Sequence, residues 1–214
     1  MTPPAKPRVR GGYSREETDQ VISVCLTVAV TLGALMDDLC VVGGLVPSLL
    51  IDQRIGPDPV TGDTHPGTND LDVGLAVGLL NDEQYAEISH RLVRRVIPVC
   101  GPATFVVLKS LALADRGEPK DAYDLVYVLR RWPEGISDIA DRLALHANKH
   151  PGDVNDALTK LANDFTEADS LGPRRAAAFQ GGGRQELDEA AADAHGYVDD
   201  VLRACRERGI VIGQ

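Results

Sequence analysis

The stretch HPGTNDLDVGLAV, residues 65–77, decides how the chain is read. Asp70 and Asp72 are one residue apart, and an apolar run follows at once. Strand geometry sends side chains two residues apart to the same face, about 6.6 Å apart along the strand. Two like charges at the mouth of a half-buried strand need a reason. One is a hard divalent cation, which takes carboxylate oxygens and binds substrate phosphates at the same time. The other is local: Asp70 caps or turns the chain and Asp72 is solvated.

Upstream, LCVVGG (39–44) reads as a short buried strand ending in two glycines, and LVPSLLIDQ (45–53) as a short helix with Pro47 in its first turn. A strand–Gly–Gly–helix junction at Gly43 and Gly44 leaves backbone N–H groups available and lets backbone approach a phosphate closely. A tight turn needing left-handed φ explains the glycines equally well. The segment between, RIGPDPVTGDTHPGTN (54–69), is a loop by its Pro, Gly, Asp and Thr content. Further upstream, Ser14 with Glu17 three residues on forms a capping box and predicts a long helix to about Asp38.

Downstream, Asn81 caps a predicted helix over 82–95, with Tyr85, Ile88 and Leu92 at helical spacing on its buried face. VIPV (96–99) reads as a third short strand. Pro102 suits the first turn of a helix that Gly117 ends. That helix carries Lys109 inside FVVLKSLALA, where an ammonium needs a partner or a phosphate unless it snorkels outward. In KDAYDLVYVLRRW, Ala122, Leu125, Val126 and Leu129 follow helical spacing, and Pro133 stops the helix. Asp121 and Asp124 share one face of it, and Lys120–Asp124 is spaced for a surface ion pair. From Gly135 only helices are expected: about 136–149, 153–165, 173–179 and 185–208.

The bulk composition fits a folded protein. With 43% hydrophobic and 25% charged residues but only 4% aromatics, the core must be built mainly from Leu, Val, Ile and Ala. The net charge of −10 disfavours broad non-specific binding to nucleic acid, while leaving room for a local basic groove. Cys25, Cys40, Cys100 and Cys205 lack CxxC spacing, which argues against zinc and a disulfide framework and fits a reducing cytoplasm. The longest apolar segment, around 21–35, is broken by Ser23, Thr27 and Thr31 and is too short to span a membrane. The expected organisation is a disordered lead over 1–13, an α/β core over 14–117 and a helical region over 118–214. The fold class is α+β.

Taken in order, VVGG, GTNDLDVGL, LKSLALADRGEP and KDAYDLVYVL resemble the nucleotidyltransferases of the DNA polymerase β-like superfamily. Within it they are most similar to the AbiEii/AbiGii toxin family of type IV toxin–antitoxin systems. The resemblance covers roughly residues 38–132. It implies that Asp70 and Asp72 hold Mg²⁺ or Mn²⁺, that Gly43 and Gly44 contact the triphosphate, and that Lys109 contacts phosphate. Asp121 is implied at the edge of the same catalytic site. The implied reaction moves a nucleoside monophosphate from an NTP to a hydroxyl, which in the family can be a tRNA 3′ end, with an antitoxin protein as partner.

One departure stands out. The family carries a third carboxylate on a strand between the DxD strand and the lysine helix. Residues 73–108 offer only Asp82, Glu83 and Glu87, all in the predicted 82–95 helix and off its apolar stripe. The expectation is therefore that none of them reaches Asp70 and Asp72. A shortened scaffold that binds nucleotide or a protein partner with little turnover is the alternative to an active transferase.

Overall fold

The computed structural model describes residues 7, 9–33, 39–52, 56–58, 62, 64–75 and 99–213. The 82–95 helix with Tyr85, Ile88, Leu92, Asp82, Glu83 and Glu87 lies outside the described residues, as does most of the 96–99 strand. The first helix, α1 (Arg15–Leu32), opens with the expected capping box: the Glu17 amide donates to Ser14 Oγ, and the Ser14 amide donates to the Glu17 carboxylate. It ends at Gly33, six residues before strand β1 (Leu39–Val42). A single 3-10 turn over Gly43–Leu45 leads into α2 (Val46–Leu50).

Strand β2 (Asp72–Leu75) pairs antiparallel with β1, Val42 opposite Asp72 and Leu39 opposite Leu75. Val41 also bridges in parallel to Val99, the one described residue of the expected third strand. This placement corrects the strand reading of the acidic motif. Asp70 precedes β2, and only Asp72 belongs to it. The reason is local: the Asp70 amide is taken by the Thr68 hydroxyl at 3.2 Å, so the chain is still turning there.

The remaining elements are helical: α3 (Pro102–Arg116), α4 (Pro119–Arg131), α5 (Gly135–Lys149), α6 (Pro151–Asp164), α7 (Leu171–Gln180) and α8 (Arg184–Glu207). Gly117 ends α3 with φ 64°, where a Cβ is disfavoured, and Pro119 restarts the chain as α4 almost immediately. Leu125, Leu129, Ile139, Leu143, Leu158 and Val198 build the larger core between these helices. A smaller core of Val21, Cys25, Val41, Leu45, Val46, Phe105 and Val128 joins α1 and the sheet to α3 and α4. Helix α4 is thus central, facing the bundle with one side and the sheet layer with the other.

Two further features tie the N-terminal part down. Arg130 on α4 pairs with the fully buried Asp58 at 2.5 Å and with Asp193 on α8 at 2.8 Å. The expected lead differs at its end: Arg10–Gly12 form a 3-10 turn, and Tyr13 packs on Phe179 at 5.8 Å between ring centres. All four cysteines are free thiols. Among the described residues, no helix is long and apolar enough to cross a membrane.

Candidate functional site

The Gly–Gly junction, the acidic loop and the α3–α4 corner meet at one cavity of about 180 Å³. Asp70, Asp72, Lys109, Asp121 and Gly44 all line it, together with Thr68, Arg116, Lys120 and Asp124. Residues as far apart in sequence as Pro7 and Asp124, 117 positions, thus converge on one small space. Among the described residues the cavity is smaller than the roughly 300–1,000 Å³ typical of whole-ligand sites, so it can enclose only part of a larger ligand.

The glycines fit tightly. Gly43 adopts φ 74°, and a Cβ there would overlap the Asp72 carboxylate. At Gly44 a Cβ would stand 2.9 Å from Thr68 Oγ1 and 3.3 Å from Lys120 Nζ. Any side chain at either position would fill the space where the two walls approach.

Lys109 does not snorkel. It is 4% exposed, and its Nζ donates to Asp121 at 2.7 Å and to Asp124 at 2.8 Å. The expected Lys120–Asp124 surface pair is also buried on its acidic side: Lys120 reaches both oxygens of Asp124 at 2.9 Å, and that carboxylate is fully shielded. Arg116 completes the set with two hydrogen bonds to Asp121, at 2.6 and 3.0 Å. Lys109, Lys120 and Arg116 thus stand against Asp121 and Asp124, with Glu118 also on the wall, beside Asp70 and Asp72.

Protonation follows from these contacts. Burial alone would favour a neutral Asp124, but Lys109, Lys120 and the His65 hydrogen bond outweigh it and hold it well below the carboxylate range. Asp121 is likewise lowered: burial opposes ionisation, and Arg116 and Lys109 overcome it. Burial also works against the Lys109 ammonium, yet Asp124 and Asp121 more than compensate and raise its pKa. Lys120 goes the other way, lowered first by burial and then by the neighbouring Lys109 despite Asp124. Asp121 and Asp124 are thus ionised counter-ions of cations, which makes them poor proton acceptors.

Three participants escaped the sequence reading. His65 is buried and hydrogen-bonded to Asp124 through Nε2 at 3.0 Å. Lys120 lines the cavity, although its spacing pointed to the surface. Tyr13 forms another wall, with Lys120 Nζ 5.3 Å above its ring, and its pKa rises to about 12 through burial and the Asp124 and Asp70 charges. Tyr13 also lines a second cavity of about 710 Å³, bounded by Arg10, Arg15, Ser48, His65 and Gln180.

The donor chemistry fits a hard cation in part. Asp70 and Asp72 present carboxylates to one cavity whose glycine wall has room for no side chain. Among the described residues, no group of three or more acidic, histidine or cysteine side chains is arranged to hold a metal. Mg²⁺ normally takes one or two carboxylates and completes its shell with water and substrate phosphates, so two suffice.

The family model described as "Nucleotidyl transferase AbiEii toxin, Type IV TA system" matches residues 48–201. No curated protein and no solved structure gives a significant match.

Proposed function

Because the chain belongs to the AbiEii nucleotidyl transferase toxin family of type IV toxin–antitoxin systems, we propose that it transfers a nucleoside monophosphate from an NTP to a hydroxyl acceptor. The observation that carries this reading is the meeting of Asp70, Asp72 and the Lys109–Lys120–Arg116 cations around one cavity beside Gly43 and Gly44. Asp70 and Asp72 would hold Mg²⁺ or Mn²⁺. A cation held there neutralises charge on the triphosphate and favours departure of pyrophosphate.

The chain's own groups supply the rest. Lys109 and Lys120 are fixed by Asp121 and Asp124, so their positive charge is preorganised and need not rearrange as charge develops on the phosphates. Gly44 lets backbone stand close to the phosphate tail. In the transfer, the acceptor oxygen bonds to the α-phosphorus, and the bond between that phosphorus and the bridging oxygen to the β-phosphate breaks. Pyrophosphate takes the electron pair, and the acceptor's proton passes to water or to Asp70 or Asp72. The larger cavity adjoining at Tyr13 offers room for the base or the acceptor, and an RNA 3′ end such as that of tRNA is the acceptor we favour. An antitoxin protein partner and a cytoplasmic setting belong to the same reading.

One observation favours the alternative, a scaffold that binds nucleotide with little turnover. Asp121 and Asp124 are committed to cations, so neither replaces the family's third carboxylate. The test is incubation with each α-labelled NTP, Mg²⁺ and total RNA. Label on RNA that disappears in Asp72→Asn supports transfer. Nucleotide binding without any label transfer supports the scaffold.

A further inference from the structure

His65 sits in a loop rich in Pro, Gly and Thr, yet its ring is buried and hydrogen-bonded through both nitrogens. Nδ1 lies 3.0 Å from the Gly67 amide and 3.1 Å from Ser48 Oγ, while Nε2 lies 3.0 Å from Asp124 Oδ1. A backbone N–H can only donate, so Nδ1 must be the unprotonated nitrogen. The remaining proton is then on Nε2, where it is donated to Asp124. The ring also packs edge-on against Tyr127, 4.8 Å between centres.

These bonds reach three separate parts of the site. Ser48 belongs to α2, which follows Gly43 and Gly44 directly. Gly67 begins the turn that carries Thr68 and Asp70 and leads into β2 at Asp72. Asp124 is the carboxylate that receives both Lys109 and Lys120. Residues 64–71 have no helix or strand of their own, and side-chain bonds such as that of His65 to Asp124 tie them to α4. Thr18 supplies another, accepting the Thr68 amide at 3.2 Å, but it anchors the loop to α1 and not to the cations.

We propose that His65 is a positioning residue of the nucleotide site: as the Nε2–H tautomer it sets Asp70 and Asp72 at their working distance from the Lys109–Lys120 pair. The inference rests on the nucleotidyltransferase reading, since it assigns the acidic loop to the metal side and the lysines to the phosphate side. In this reading the lysines contact the phosphate tail without needing the cation. Asp70 and Asp72 would hold the cation only if their side of the cavity stands in register with the lysines, and that register is what the imidazole supplies. Loss of a group that orients ligands in this way typically costs about 10–100-fold.

Two conservative variants separate positioning from packing. In His65→Gln the amide nitrogen takes the place of Nε2 and still donates to Asp124. In His65→Asn the shorter amide oxygen takes the place of Nδ1 and serves Gly67, but nothing reaches Asp124. Non-hydrolysable analogues of ATP, CTP, GTP and UTP are titrated calorimetrically into the full chain, once with EDTA and once with Mg²⁺. Wild type gains affinity with Mg²⁺. His65→Asn keeps the EDTA affinity and loses about tenfold or more of the gain, and His65→Gln keeps most of it. Histidine ¹⁵N spectra, assigned through the variants, place the His65 proton on Nε2.

The inference is overturned if His65→Asn keeps the Mg²⁺ gain, if the loss is equal with and without Mg²⁺, or if the proton resides on Nδ1. A wild-type protein with no Mg²⁺ gain overturns the functional reading and this inference together. A wild-type gain that survives His65→Asn overturns this inference alone.

Discussion

Replacing Lys109 with methionine tests the charge cluster at its centre. The side chain is nearly buried and its ammonium serves two carboxylates that are 3% and 0% exposed. Methionine fills the aliphatic volume, so the change removes charge with little cavity. Breaking a buried pair typically costs about 3–5 kcal/mol, because the partner is left as an uncompensated charge. Here the partners are not abandoned: Asp121 keeps Arg116, and Asp124 keeps Lys120 and His65. The low end, about 3 kcal/mol, is therefore expected. Adding Asp121→Asn removes one of the two carboxylates that lost the ammonium, while its other partner, Arg116, is half exposed and returns to water readily. The double variant should recover about 1 kcal/mol over Lys109→Met, a clear departure from additivity. Urea unfolding followed through Trp132, the single tryptophan, provides the assay. A Lys109→Met cost within about 0.5 kcal/mol, the range of ordinary surface changes, would refute the reasoning. So would strictly additive single and double variants.

Gly43→Ala should abolish nucleotide binding and destabilise the sheet end, because φ 74° is unfavourable for alanine and the new Cβ overlaps Asp72. Calorimetric titration with NTP reads the first effect and urea melts the second, and wild-type affinity in this variant would contradict the packing described. A pH effect follows from His65, whose pKa burial lowers from 6.5 to about 4 even though Asp124 acts to raise it. Its neutral form is the folded form, so stability is intact above pH 6.5 and declines as pH falls toward 4. At pH 5 the His65 share of the loss relative to pH 8 is about 2 kcal/mol. His65→Gln should flatten the melting profile over that window, and an unchanged slope would assign it to other groups.

Much of the helical half was legible because its signals are local. Ser14 with Glu17, Pro102, Gly117 and Pro133 mark ends that need only neighbouring residues. The apolar spacing of Ala122, Leu125, Val126 and Leu129 likewise fixes the buried face of α4 without reference to anything distant. The ordered motifs around Asp70, Asp72, Lys109 and Asp121 were readable through their likeness to the AbiEii family, whose model matches residues 48–201. What escaped depends on partners far along the chain. His65 meets Asp124 across 59 positions and Arg130 meets Asp58 across 72. A histidine in a Pro- and Gly-rich loop carries no local sign of burial. Lys120 was misjudged because an i,i+4 spacing to Asp124 says nothing of whether that face is covered. Asp70 was placed in a strand because alternation cannot register a side-chain hydrogen bond that keeps the backbone turning.

In the proposed function, Asp70 and Asp72 would hold a divalent cation at a nucleotide's phosphates, opposite the lysine cluster. The most direct measurement compares wild type with the Asp70→Asn, Asp72→Asn double variant by thermal melting with NTP, with and without Mg²⁺ or Mn²⁺. Ligand at about 100 times its Kd adds about 2.7 kcal/mol, which moves the melting temperature visibly. A metal-dependent shift is expected in wild type and none in the double variant, whose fold without ligand is as stable as wild type or more so. An equal metal-dependent shift in both proteins would contradict it.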